Sequence, residues 1–197
     1  MYRLYYHYKT NGDTLFLVIE PEAYPDRVVE NDGVVALYKE NRLVGVNFLH
    51  IGKTMRIRAE GMIVTPENVV IDVLNSLLEG AGLETLPYCT DSYYVVGKVL
   101  KKEEHPLNEN LSILTVDIKE KTLSTVTRYS NMEEGDHIVL AKDGCLRFDG
   151  SQFHAHVEKN INIDAEVCSE ADLRLGEESK KAILVPELSV GMDFFLR

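Results

Sequence analysis

The stretch from residue 93 to residue 118 constrains the fold of this chain more than any other part of its sequence. Its first part is rich in valine and predicts a β-strand that contains Gly97. A glycine inside a strand usually marks a bulge or a sharp bend. The charged residues 101–110 predict a surface loop, and the apolar run 111–118 predicts a second strand. A bent strand, a polar loop and a second strand are a common opening of a small β-barrel.

The rest of the second half continues this pattern of short strands and tight turns. Residues 122–127 and 137–142 predict two further strands. Apolar and polar residues alternate over 152–158, so we expect a strand there with its polar face outward. The tail segments 183–185 and 193–196 are expected to add strands or to pack on the barrel. About five short strands at this spacing fit a small barrel such as the OB fold.

The first half predicts an antiparallel sheet with one helix. Strands are predicted at 2–8, 14–20, 33–39 and 42–49, with a further candidate at 55–59 and a polar connection over 21–31. Thr65 and Pro66 are typical of a helix start, and apolar residues then recur at spacings of three and four. Gly80 ends this helix. A helix on one face of a small sheet makes an α+β domain.

The two predicted domains meet in the short connection 83–91, which contains Pro87. We place the boundary after residue 91. This gives an N-terminal α+β domain over residues 1–91 and a C-terminal OB-fold β-barrel over residues 92–197. The chain as a whole is therefore predicted to be α+β and mostly β.

The composition is that of an ordinary globular protein, with 45% hydrophobic and 27% charged residues among 197. No apolar run approaches the ~20 residues that span a bilayer, and the N-terminus has no signal-peptide core. Three separated cysteines without a CxxC pair fit a reduced cytosolic protein better than a disulfide scaffold or a zinc site. We therefore expect a cytoplasmic protein.

The net charge of −11 bears on the choice of partners. The first 91 residues carry −5 and the remainder carries −6. Such a charge opposes nucleic-acid binding, because attraction to phosphates normally supplies much of the affinity. Acidic proteins still bind RNA through a local basic face.

Short motifs connect the chain to a known family. In the second half they are VVGKV at 95–99, HP at 105–106, LS at 111–112, TVD at 115–117, GD at 135–136, IVLA at 138–141, CSE at 168–170 and ILV at 183–185. The first half adds residues 5–8, residues 12–14 and the helix near residue 70. The chain resembles the YtpR-type tRNA-binding proteins, whose OB domain is also appended to some methionyl-tRNA synthetases and phenylalanyl-tRNA synthetase β subunits.

The resemblance implies a non-catalytic accessory protein that recognises tRNA by shape and backbone, works without a cofactor and forms a homodimer. OB folds bind nucleic acid on the face of two strands and the adjoining loops. Basic residues near that face are Lys98, Lys101, Lys102, Arg128, Lys142 and Arg147, and family motif positions add Asn131 and Ser169. For each basic residue the alternative is a solvated surface charge. Tyr129, Phe148 and Phe153 are candidate stacking groups, with core packing as the favoured alternative for Phe153.

Three stretches depart from the family pattern, at 107–111, 127–131 and 163–169. In the last of them a glycine and a methionine of the family are replaced by Ala165 and Glu166, beside Asp164. Carboxylates in a loop that faces phosphates oppose binding, because like charges repel. The alternative function is therefore a diverged OB module that has lost RNA binding and serves as a protein-interaction or dimerisation scaffold.

Enzyme functions find little support in the sequence. His154 and His156 have a spacing compatible with a metal, but the sequence offers no evident third ligand, so we expect no metal site. Cys168-Ser169 lacks the surroundings of a nucleophile elbow, and no phosphate-cradling glycine loop is present. We expect Cys168 to be a buried small apolar group and the protein to have no catalytic residues.

Overall fold

The structure, a computed structural model, describes residues 2–89 and 92–196. The chain divides into two compact units, Met1–Thr90 and Asp91–Arg197. Strands dominate both units, as the sequence predicts. Among the described residues, none of the helices has the length and apolar character needed to span a membrane.

A six-stranded antiparallel sheet forms the first unit. Its strands are β1 (Arg3–Tyr6), β2 (Thr14–Val18), β3 (Arg27–Asn31), β4 (Val34–Lys39), β5 (Arg42–Leu49) and β6 (Gly61–Ile63). They lie in the order β3-β4-β5-β2-β1-β6. The turn between β4 and β5 uses Glu40 and Asn41, both at positive φ, as the favoured two-residue hairpin turn requires.

Two α-helices accompany this sheet, the short α1 (Tyr8–Asn11) and the longer α2 (Asn68–Gly80). Ile71, Leu74 and Leu78 of α2 are fully buried and share one core with Leu4, Leu15, Leu17, Val46 and Phe48 of the sheet. Their spacing of three and four residues places them on one helix face. The prediction of a helix with one apolar, buried face is thus confirmed.

The boundaries of several elements differ from the sequence prediction. The first strand ends at Tyr6, and α1 follows with His7 as its N-cap, where Nδ1 accepts from the Thr10 N–H. The helix α2 begins after Glu67, two residues later than Thr65 and Pro66 suggest, because the first helical bonds run to the Glu67 carbonyl.

Two strand predictions in the first unit are wrong. Residues 27–31, expected within a polar connection, form the edge strand β3, whose side chains are all exposed. Such a strand has no hydrophobic alternation and is defined by its pairing with β4. Residues 55–59 form no strand, and the last strand of the sheet is β6.

The second unit is built on a five-stranded antiparallel sheet. Its strands are β7 (Tyr94–Glu104), β8 (Ser112–Asp117), β9 (Thr122–Thr127), β10 (His137–Lys142) and β13 (Ala165–Val167), in the order β13-β10-β7-β8-β9. A separate hairpin contains β11 (His156–Glu158) and β12 (Ile161–Ile163). The sheet is a nearly closed barrel, because its two edge strands are joined by hydrogen bonds. Thr125 Oγ1 donates to the Ala165 carbonyl at 2.6 Å, and the Asp164 N–H donates to the Ser124 carbonyl at 2.8 Å.

The long strand β7 contains the predicted irregularity, but not at the predicted place. The register between β7 and β8 shifts between Val99 and Lys101. Gly97 is buried inside the barrel, where an added Cβ would lie 2.5 Å from Val116 Cγ1 and 3.1 Å from Leu140 Cδ1. The glycine is therefore required by close packing.

The surface loop predicted to start at residue 101 starts later. Strand β7 continues to Glu104, since Lys101 and Lys102 pair with Thr115 and Leu114 of β8. Charged side chains are compatible with this pairing because this end of β7 lies outside the core: Lys101, Glu103 and Glu104 are exposed, and Lys102 is half-buried.

The long segment between β10 and β13 and the C-terminal tail complete the second unit. The strand predicted over 152–158 is present only as the short β11, and Val157 is 65% exposed, so its apolar side chain does not face a core. The tail packs on the barrel as expected. Leu184 and Asp193 form isolated bridges with β10 and β7, and Phe194 is 1% exposed.

Candidate nucleic-acid interface

A groove of about 660 Å³ lies on the second unit, between the end of β9, the segment that follows β10 and the residues in and after β13. Its charged lining consists of three arginines and three carboxylates: Arg128, Arg147, Arg174, Asp149, Glu166 and Asp172. Three aromatic side chains also line it: Tyr94, Tyr129 and Phe148. Arginine and aromatic side chains are the groups that bind phosphates and stack on bases.

Arg147 is the most constrained of the three arginines. Its Nε donates to Glu166 Oε2 at 2.7 Å, its Nη1 donates to Ser151 Oγ at 3.1 Å, and its guanidinium lies 5.6 Å from the centre of the Phe153 ring. The hydrogen bond with Glu166 raises the pKa of Arg147. A phosphate that approaches Arg147 therefore meets a charge that Glu166 already partly neutralises.

Arg128 and Arg174 carry charges that no described carboxylate pairs. The Arg128 guanidinium lies 5.6 Å from the centre of the Tyr129 ring and donates one bond to the Ser179 carbonyl at 3.4 Å. Arg174 is exposed and forms no ion pair within residues 92–196. These two arginines are the groups in the groove that are most available to an anionic ligand.

Asp172 holds one wall of the groove together. Its Oδ2 accepts bonds from the Tyr129 hydroxyl at 3.1 Å, the Ser169 N–H at 2.8 Å and the Ser169 hydroxyl at 2.7 Å. Tyr129 in turn supports Arg128 through the ring contact above. Asp172 is thus a structural acceptor, although it lines the groove.

Asp149 lies on a more exposed part of the lining. Its Oδ1 accepts from the N–H and the hydroxyl of Ser151, at 2.8 and 2.6 Å, and these bonds lower the pKa of the Asp149 carboxyl. The carboxylate is therefore ionised at neutral pH and adds negative charge beside Arg147.

The floor of the groove is apolar. The Tyr94 ring packs edge-on against Phe195 at 5.3 Å and lies 6.2 Å from Phe148, and its hydroxyl donates to the Leu146 carbonyl at 3.2 Å. Burial raises the pKa of the Cys145 thiol to about 11. Burial also raises the pKa of Cys168, whose side chain is buried as predicted. Both thiols are therefore protonated at neutral pH and are poor nucleophiles.

The structure brings two of the eight predicted contact residues together, because Arg128 and Arg147 line the same groove. Asn131 and Ser169 have other contacts. The Asn131 amide donates to the Ala182 carbonyl at 2.9 Å and accepts from the Ala182 N–H at 2.8 Å. Ser169 has no exposed surface. Both residues connect the barrel to the chain that follows it.

The four predicted lysines do not line the groove. Lys98 is exposed on β7, and Lys142 is half-buried at the end of β10. The Lys101 ammonium pairs with Glu103 at 2.8 Å. The Lys102 ammonium donates to the Met132 carbonyl at 2.7 Å and pairs with Glu133 at 3.3 Å.

His105 and His154 of the second unit each have a partner within the unit. His105 is buried, and its Nδ1 accepts from the Leu107 N–H at 3.2 Å, so the His-Pro motif shapes the turn that starts the loop after β7. His154 Nδ1 lies 3.6 Å from Asp143 Oδ1. No group of three or more metal-ligating side chains occurs within residues 2–89 and 92–196.

A curated relative matches the chain along nearly its whole length. It is the "Putative tRNA-binding protein YtpR" of Bacillus subtilis (strain 168), which is 29% identical over 188 residues, a match that covers 93% of each protein. The resemblance to the YtpR type is confirmed. No family model matches the chain.

Shorter matches to this chain occur inside larger proteins. The phenylalanine–tRNA ligase beta subunit of Thermotoga maritima is 24% identical over 101 residues, which are 51% of this chain and 13% of that subunit. Among solved structures, a MetRS related protein from Pyrococcus horikoshii is 19% identical with a TM-score of 0.36, over 50% of this chain and 84% of that one.

Sequence reasoning missed part of the groove. Arg174 and Asp172 follow the family motif at 168–170 in a polar stretch without periodicity, so no local pattern singles them out. Tyr94 was predicted only as part of a strand. Its place in the groove follows from the pairing of β7 with β10, which no local signal reveals.

Proposed function

We propose that this protein is a non-catalytic tRNA-binding accessory protein. In this proposal the two units are an N-terminal α+β domain and a C-terminal OB domain with a boundary near residue 91, and the OB domain binds tRNA through the groove. The observation that carries the proposal is the presence of three arginines and three aromatic side chains in one groove of the barrel. The names of the relatives, a tRNA-binding protein and tRNA ligase subunits, support tRNA as the ligand.

The free arginines provide the attraction in this proposal. Arg128 and Arg174 each offer a planar donor group that matches a phosphate, and neither has to leave a carboxylate first. Phe148 also lines the groove and is half-buried, so its ring can stack on an unpaired base. Such contacts recognise backbone and shape and read little sequence.

The acidic net charge makes the salt dependence informative. A charge of −11 repels RNA at long range, whereas the arginines attract phosphates at contact. Each phosphate contact that releases counterions contributes about 0.7–0.9 to the slope of log affinity against log salt. A groove with two or three contacts therefore predicts measurable binding at low salt that weakens steadily as salt is added.

The first test is binding of the purified full chain to total tRNA at about 50 to 200 mM salt. We expect saturable binding with a negative salt slope of about 1.5 or more. A DNA duplex of equal length is the matched polyanion, and it should bind more weakly because it lacks the tRNA shape. Absence of tRNA binding at the lowest salt would overturn the proposal.

A second candidate function is a protein-interaction or dimerisation scaffold on a diverged OB module. The observation that favours it is the ion pair between Glu166 and Arg147, which neutralises part of the groove. Both candidates allow the homodimer that the resemblance implies and the cytoplasmic location that the separated cysteines favour. A self-associating protein without affinity for tRNA would support the scaffold, and sedimentation of the pure chain together with the tRNA titration separates the two.

A further inference from the structure

We propose that the segment Lys53–Arg58 of the first unit is a second phosphate-contact surface for the RNA. This inference rests on the proposed function, because it assigns part of the same RNA affinity to the first unit. Three cations, Lys53, Arg56 and Arg58, occur within six residues there. They are the basic residues of this segment, and all three are exposed.

The segment presents its cations on one side because its apolar residues are fixed on the other. Met55 and Ile57 are partly buried and pack against the core of the first unit. The burial pattern alternates from Met55 to Arg58, so Arg56 and Arg58 point away from that core. Both guanidinium groups are therefore presented to solvent from the same short segment.

The start of the segment is held in place by hydrogen bonds. The Gly52 N–H donates to Asp13 Oδ1 at 2.9 Å, and the Tyr6 hydroxyl donates to the same carboxylate at 3.1 Å. The N–H groups of Thr54 and Met55 both donate to the Ile51 carbonyl, at 2.9 and 3.0 Å. Because the backbone at the start of the segment is already ordered, binding there has a lower entropy cost than binding to a flexible loop.

Three of the five other basic residues of this acidic unit form ion pairs, and a fourth, Arg27, lies over the Tyr38 ring at 4.1 Å. Lys9 pairs with Glu60 at 3.0 Å, and Arg42 pairs with Glu20 at 2.7 Å. Lys39 likewise pairs with Asp26 at 3.4 Å. Within residues 2–89, by contrast, Lys53, Arg56 and Arg58 form no ion pair. The unit Met1–Thr90 has 8 basic and 12 acidic residues, and it thus leaves three clustered positive charges for an external anion.

The arrangement fits the backbone of RNA. A cluster of exposed cations matches a polymer that carries one charge at each regularly spaced phosphate. A membrane surface fits poorly, because insertion requires exposed apolar or aromatic residues beside the cations, and Met55 and Ile57 face the core. RNA phosphates are therefore the ligand to which the proposal commits.

The test compares two triple variants of the full chain in the tRNA salt titration. The first is Lys53→Gln, Arg56→Gln, Arg58→Gln, and the control is Lys9→Gln, Lys39→Gln, Arg42→Gln. Both change the net charge equally, so long-range repulsion of RNA is matched. We expect the salt slope of the first variant to fall by about 2–3 and that of the control to stay at the wild-type value. Between 50 and 200 mM salt, wild type should lose roughly 20- to 40-fold more affinity than the first variant.

The outcomes separate this inference from the proposed function. If wild type binds tRNA and the first variant has the same salt slope, the proposal of a second phosphate-contact surface is wrong, and the proposal that the groove binds tRNA is unaffected. An equal loss in both triple variants would mean that only net charge matters, which also overturns it. Failure of wild type to bind tRNA would overturn the proposed function itself. Circular dichroism melts of both variants confirm folding, and the double variant Arg56→Gln, Arg58→Gln should show about two-thirds of the slope change.

Discussion

The Gly97→Leu substitution is expected to prevent the second unit from folding. A Cβ at this position already lies 2.5 Å from Val116 Cγ1 and 3.1 Å from Leu140 Cδ1, and both neighbours are fully buried in the barrel core. Overpacking by a few carbon atoms typically costs about 1–3 kcal/mol and sometimes more. The leucine side chain adds three carbons beyond Cβ where even Cβ does not fit. Urea denaturation followed by near-ultraviolet circular dichroism reports the tertiary packing of the unit.

The control for this prediction is the same substitution at Gly80. Gly80 is the last residue of α2 and would bring no Cβ contact within 4 Å. Because leucine is a better helix former than glycine, Gly80→Leu should leave stability unchanged or raise it by up to about 1 kcal/mol. The milder Gly97→Ala should fold with a loss of about 1–3 kcal/mol. A Gly97→Leu protein as stable as wild type would show that the barrel is not packed as described.

The Asp172→Ala substitution is expected to lower both stability and affinity for tRNA. Asp172 accepts three hydrogen bonds, and two of their donors belong to the fully buried Ser169. A buried donor without a partner costs about 1–3 kcal/mol, so we expect a loss of about 2–4 kcal/mol in the free energy of unfolding. Tyr129 then loses the hydrogen bond that orients its ring. The Arg128 guanidinium, which lies over that ring, is consequently less well positioned.

The effect on tRNA affinity distinguishes a structural role of Asp172 from the effect of its negative charge alone. Removal of a negative charge from the groove would by itself strengthen the binding of an anion. Asp149→Ala removes the same charge from the same groove but breaks only bonds to the exposed Ser151. We expect affinity for tRNA to be equal or higher in Asp149→Ala and several-fold lower in Asp172→Ala, measured by filter binding. Higher affinity in both variants would contradict the structural role of Asp172.

Elements that bury one apolar face were predictable from the sequence, because burial imposes periodicity. The helix α2 and the strands β4 and β5 lie where apolar spacing predicts them. The exposed strand β3 was missed because no hydrophobic alternation marks it. A local signal did exist: Asp32 and Gly33, both at positive φ, form the two-residue turn between β3 and β4. The Asp-Gly pair therefore predicts a hairpin that the polar residues before it conceal.

The candidate site was predictable only in part, because it depends on contacts between distant segments. Arg128 lies in a stretch that corresponds to a family motif and Arg147 follows a predicted strand, and the groove contains both. Asn131 is also near such a motif, but its side-chain amide forms two hydrogen bonds with the Ala182 backbone. The sequence identifies a polar residue but not its partner, which comes from about 50 residues away. Arg174 and the Lys53–Arg58 segment lie outside every motif, so only packing reveals them.

The most direct test of the groove is the double variant Arg128→Gln, Arg174→Gln in the tRNA titration. The control is Lys180→Gln, Lys181→Gln, which makes the same charge change at two exposed residues of the second unit that do not line the groove. We expect the groove variant to bind roughly tenfold or more weakly, with a salt slope lower by about 1.4–1.8, and the control to bind within about twofold of wild type. Equal affinity of the two double variants would show that tRNA does not bind in the groove.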